Sequence, residues 1–123
     1  MSEEEAKQLL SSEITAGLDL QKCREMLDSM TKQERREFYI RRVMAHKGLT
    51  FRAIVNKYNR RAKKKEHLTA WGLNLAVKRA TWTARVVKCL ERGLGVDLTV
   101  FLYKPGELAK EKIVDKAKGE LLK

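Results

Sequence analysis

Six times along this chain a side chain able to cap a helix stands just before residues that recur at helical spacing: Ser2, Asp19, Thr31, Thr50, Thr69 and Thr83. A cap oxygen accepts from the unpaired backbone N–H groups of a first helical turn, so each of these residues marks a helix start. Ser2 precedes Glu3, Glu4 and Glu5, acids at the positive end of a helix dipole. Thr31 has Glu34 three residues on, the spacing of a capping box. The stop signals agree. Gly17 breaks the first helix, Gly48 follows Lys47 at the end of the third, and Gly93 and Gly95 close the last. One proline and seven glycines leave few tight β turns, which sets an all-β architecture aside. The expected fold class is all-α.

The apolar residues between these signals fall into stripes. Ala6, Leu9 and Leu10 share a face of a helix running to about residue 12. Leu20, Cys23, Leu27 and Met30 recur over 20–30, with Met26 beside them. Phe38, Tyr39, Ile40, Val43 and Met44 mark the helix that follows Thr31. Phe51, Ile54, Val55 and Tyr58 stand at i, i+3, i+4 and i+7 after Thr50. The helix after Thr69, ending at 79 or 80, contains Trp71, Leu73, Leu75, Ala76 and Val77, and the one after Thr83 carries Val86, Val87, Leu90 and Leu94. Both tryptophans read as core or core-edge residues. Over 96–103 the pattern changes: Val96, Leu98, Val100 and Leu102 alternate with Asp97, Thr99, Phe101 and Tyr103, the period of a single short strand. Lys104, Pro105 and Gly106 close it with a turn, and 107–123 reads as a charged helix.

The net charge of +11 is concentrated. Residues 1–30 carry seven acids and three bases, whereas 31–92 carry eighteen bases and four acids, a local charge of +14. A field of this density attracts polyanions and speeds their capture, and nucleic acid is the usual one. The competing reading is a solvated basic face. A membrane surface would require a basic helix with an exposed, uniformly apolar opposite face, and the apolar faces here are needed for the core.

No apolar run approaches the length of a membrane span, and the acidic start has no signal-type apolar region, so a cytoplasmic protein without a membrane partner is expected. Cys23 and Cys89 form no CxxC pair and read as reduced thiols. No Gly-rich phosphate loop, GxSxG, HExxH or Cys–His pairing is present. The expectation is therefore a protein that is not an enzyme, with no metal site and no cofactor.

The run Val43-Met44-Ala45-His46-Lys47-Gly48-Leu49-Thr50-Phe51-Arg52-Ala53-Ile54-Val55-Asn56-Lys57-Tyr58 resembles the first two helices of the λ-repressor/Cro-like helix-turn-helix proteins. The link of glycine, leucine and Thr cap is present, and Ala53 matches the small residue inside the second helix. Residues 78–83 resemble the end of the recognition helix and the next cap, and 90–96 the fourth helix and its Leu-Gly-Val exit. The resemblance covers about 32–96, roughly half the chain, and departs from the family in the longer basic connection after Asn59. It implies a compact helix-turn-helix bundle of about five helices over 31–96; the acidic helical extension over 1–30 and the strand-like segment with its helical tail over 97–123, read from their own patterns, lie outside it.

The resemblance also implies roles. The helix after Thr69 would enter the major groove of double-stranded DNA, with Leu68, Leu75 and Ala76 toward the core and Thr69, Asn74, Lys78 and Arg79 reading bases; Asn pairs with adenine and Arg with guanine. Thr50 and Arg52 would meet phosphate at a helix start. Arg60, Arg61, Lys63, Lys64 and Lys65 would follow the sugar–phosphate backbone. Such domains bind as two-fold dimers. A homodimer paired along Val100, Phe101 and Leu102 would satisfy the lone strand's edge; the stripe of Leu20, Cys23, Leu27 and Met30 is the rival surface, and packing of the segment on its own domain the rival structure. The function so implied is a sequence-selective DNA-binding transcriptional regulator of bacterial or phage type. The alternative is an RNA-binding or protein-binding module, an inhibitor or adaptor on a helical scaffold, which the acidic N-terminus favours.

Overall fold

A computed structural model describes residues 1–79 and 81–102, all of them helical or connecting. Seven α-helices follow in order: α1 Glu3–Leu9, α2 Ser12–Thr15, α3 Leu20–Ser29, α4 Lys32–Lys47, α5 Phe51–Asn59, α6 Ala70–Arg79 and α7 Ala84–Leu94. Single 3₁₀ turns occupy Lys64–Glu66 and Thr99–Phe101. The caps carry the signals read in the sequence. Thr31 closes a full capping box with Glu34, whose carboxyl is held below its usual range by the Thr31 backbone and side-chain hydrogen bonds. Thr50 accepts from Ala53 N–H, Thr83 from Val86 N–H, and Asp19 from the N–H groups of Gln21 and Lys22. Gly48 and Gly95 end α4 and α7 in the left-handed region, at φ 65° and 68°, which a side chain resists.

One core unites these helices: Leu9, Ile14 and Leu27 from the N-terminal elements, Tyr39, Ile40 and Val43 from α4, Ile54 and Tyr58 from α5, Leu73 and Val77 from α6, and Leu90 and Leu94 from α7. α5 packs against both α6 and α7. The N-terminal segment is fastened by polar groups as well. Glu5 pairs with Arg35 at 3.0 Å, both side chains nearly buried, and Arg35 also donates to the Met30 carbonyl at 2.6 Å. A buried pair of this kind holds only because its remaining hydrogen-bonding capacity is met.

Three expectations are corrected. The first helix ends at Leu9, and α2 is a separate turn that buries Ile14 and Thr15. The core face of α6 is Leu73 and Val77; Leu68 and Ala76 pack only at the edge and Leu75 is half-buried. Moving from Leu73 to Leu75 turns a helical side chain by about 200°, so the choice of leucine reverses the face. Finally, 96–102 is not a strand. Phe101 breaks the alternation, and a 3₁₀ turn, with its three-residue period, sends Leu98 and Phe101 into the core together. Phe101 lies 4.9 Å from the Tyr39 ring and 6.4 Å from Trp82, and its carbonyl accepts from the Arg36 guanidinium. A strand-paired seam at Val100, Phe101 and Leu102 therefore has no strand edge to build on. Tyr103, the Pro105-Gly106 turn and the charged C-terminal helix lie outside the described residues.

Candidate nucleic-acid interface

α6 is a helix with one face in the core and one open to solvent. Thr69 caps it, accepting from Gly72 N–H at 3.0 Å. Leu73 and Val77, four apart, anchor the inner face. On the outer face stand Trp71, Asn74 and Lys78, at i, i+3 and i+7, with Arg79 exposed at the end. Trp71 is 74% exposed, against the core placement expected from sequence. Burying an indole is among the larger apolar gains open to a chain, so an indole left in water on this face is available to a partner. Trp82 does take a core-edge position: half-buried, edge-on to Phe101, with the Arg36 guanidinium 5.2 Å from its ring. Burial lowers the Arg36 pKa, and the nearby Glu5 charge opposes that.

Arg41, on α4, is a residue that periodicity alone did not single out. Its guanidinium is held by Glu37 at 3.0 and 3.1 Å, donates to Asn74 Oδ1 at 3.3 Å, and sits 5.8 Å over the Phe51 ring. It thereby ties the first residue of α5 to the outer face of α6. Thr50 and Arg52, on either side of Phe51 at the start of α5, are both exposed. Asn74 keeps its amide nitrogen free of any hydrogen bond to the described residues, so its donor side remains open.

The long connection between α5 and α6 is ordered by one residue. Asn59 donates to the Leu68 carbonyl at 2.9 Å and accepts from Leu68 N–H at 3.1 Å, closing the loop with a reciprocal pair. His67 Nε2 lies 3.1 Å from the Ala62 carbonyl. Lys63, Lys64 and Lys65 are left exposed on the outside of this loop. Arg60 and Arg61 are placed elsewhere: they line a cleft with Lys57 and with Arg92 of α7.

The rest of the molecule offers less chemistry. Among the described residues no group of His, Cys, Asp and Glu side chains could hold a metal ion, and no helix is long and apolar enough to cross a membrane. Cys23 and Cys89 are buried and unpaired with each other; burial pushes the Cys89 thiol up to about 11. No protein-family model, curated protein or solved structure matches the chain.

Proposed function

We propose that the chain is a sequence-selective DNA-binding protein, a transcriptional regulator of bacterial or phage type, in which α4 to α7 act as a helix-turn-helix unit and α6 enters the major groove. The observation that carries this reading is the outer face of α6. It presents Trp71, Asn74, Lys78 and Arg79 to solvent while 31–92 hold a local charge of +14. Asn74 and Arg79 supply the hydrogen-bonding patterns that distinguish adenine and guanine in the major groove, with Thr69 and Lys78 flanking them. Thr50 and Arg52 would take a phosphate at the start of α5, and Lys63, Lys64 and Lys65 would meet the sugar–phosphate backbone. The cytoplasm is the compartment this function implies.

Trp71 favours a second reading, RNA or another single strand, because an exposed indole is a platform on which an unpaired base stacks. Competition at fixed salt between duplex DNA, duplex RNA and single strands separates the two. Changing Lys63, Lys64 and Lys65 together to Ala should weaken binding to every duplex sequence alike and lower the log–log salt slope by about 0.9 for each phosphate left without its lysine. An unchanged slope removes the lysine loop from the interface.

A further inference from the structure

α7 is strongly two-sided. Val86, Cys89, Leu90 and Leu94 are buried, while Arg85, Lys88 and Arg92 lie exposed at i, i+3 and i+7 along its open face. The end of α5 and the 3₁₀ turn bring four more cations beside this stripe. Arg92 shares a cleft with Lys57, Arg60 and Arg61. Arg85 and Lys88 share a second one with Lys65, Glu66 and the buried Tyr58. Seven cations thus face one acid, and none of the seven side chains makes an ion pair or hydrogen bond with the described residues. Lys57 and Arg92 occupy last helical turns, where a cation answers the negative end of the dipole. Two helix ends contribute only about one negative charge between them, so Glu66 and the dipoles leave an excess of about five.

The dimensions point to the occupant. Arg85 to Arg92 spans about 10.5 Å at the helical rise of 1.5 Å per residue. One strand of duplex DNA carries a charge about every 3.4 Å along its axis, so the stripe runs beside about three phosphates. A membrane surface is a poor fit, because among the described residues the exposed large apolar side chains, Leu18, Leu20, Met26 and Trp71, belong neither to α7 nor to these clefts. We propose that α7 and the end of α5 form a second nucleic-acid contact, a track for a phosphodiester backbone, separate from the helix that carries Trp71 and Asn74. This inference rests on the nucleic-acid reading but uses no residue of α6.

The test uses the full chain with Arg85, Lys88 and Arg92 changed together to Gln, an exposed set whose replacement leaves the buried face of α7 intact. A second variant, Asn74→Ala with Lys78→Ala, alters α6 alone. Fluorescence anisotropy gives the affinity for a random-sequence DNA duplex and for single-stranded RNA of equal length across a salt series, with circular dichroism as a check on folding. The α7 variant should lose about 2.7 from the log–log salt slope if the backbone is duplex, or about 2.1 if it is a single strand. A fall in the α7 variant with little or none in the α6 variant supports the track, because residues that read bases leave random-duplex binding largely intact. An unchanged slope in the folded α7 variant overturns the track and leaves α6 standing; so does polyglutamate bound as tightly as nucleic acid with the same three cations, since the occupant is then an acidic polypeptide. Wild-type protein that binds no nucleic acid overturns both.

Discussion

Gly93, in the last turn of α7, sits directly against α5. A Cβ built there would overlap the Cγ2 methyl of Ile54 and come within 3.1 Å of Ile54 Cβ and 3.3 Å of its Cα. Ile54 is itself buried in α5, so neither the methyl nor the backbone behind it can swing into solvent. Gly93→Ala therefore forces α7 away from α5 locally, at an overpacking cost of about 1–3 kcal/mol. Alanine's better helix propensity returns at most about 1 kcal/mol, and less in a last turn. The net expectation is a destabilisation of about 1–2 kcal/mol, read as a lower midpoint in urea with an unchanged m value. Ile54→Ala removes the overlapping methyl. In that background Gly93→Ala should cost little or nothing, giving a coupling energy of about 1–2 kcal/mol between the two positions. A single Gly93→Ala variant that is more stable than wild type by about 1 kcal/mol, as on an open helix surface, would refute the close packing of α5 on α7.

Trp71→Phe should abolish the change in tryptophan fluorescence on adding nucleic acid, because Trp82 sits at the core edge under Arg36, and Trp71→Ala should weaken binding by about 1–3 kcal/mol if the indole stacks on a base; a fluorescence change that persists in Trp71→Phe places the contact elsewhere. The raised Cys89 pKa makes stability depend on pH. The thiol ionises near its ordinary 9.0 in the unfolded chain and at about 11 in the fold, so the unfolded state holds fewer protons between those values and stability falls as pH rises through them. The decline is at most about 2.7 kcal/mol, and burial shifts Tyr39 and Tyr58 in the same direction. Urea midpoints measured from about pH 8 to 11 should decline in wild type and decline less in Cys89→Ala; equal slopes would remove the thiol as the cause. A homodimer that does not pair strands over 96–102 could use α3, which leaves Leu20 57% and Met26 39% exposed. Leu20→Lys should therefore convert dimer to monomer in sedimentation, and a wild type already monomeric at high concentration ends the idea.

The helices were legible because their signals are local. Thr31, Thr50 and Thr83 cap from the positions their sequence context indicates, and Ile54, Val55 and Tyr58 form the buried face that their spacing describes. What was not legible depends on contacts between distant residues. Trp71 and Leu75 looked as fit for the core as Leu73 and Val77, since hydrophobicity does not record which way α6 is rotated; packing of α6 on α5 and α4 decides it. Residues 96–102 alternate like a strand, yet Arg36, 65 positions away from Phe101, holds that carbonyl and helps fix a 3₁₀ turn. Arg41 is one of two adjacent arginines, and only the structure distinguishes its role, at the junction of Phe51 and Asn74, from that of Arg42, which reaches the Ile14 carbonyl. The basic loop was visible as charge, but its division into an exposed lysine turn and an arginine cleft shared with α7 required the third dimension.

The proposed reading of duplex DNA by α6 has a direct consequence for the sequences the chain selects. Selection from a random duplex library with the full chain, repeated with Asn74→Ala and with Arg79→Ala, tests it directly. Wild type should yield an enriched motif, and each variant should lose preference at one position of that motif, by about 1–3 kcal/mol, with binding to random duplex largely kept. No enriched motif, or single-stranded RNA that outcompetes the selected duplexes, would contradict it.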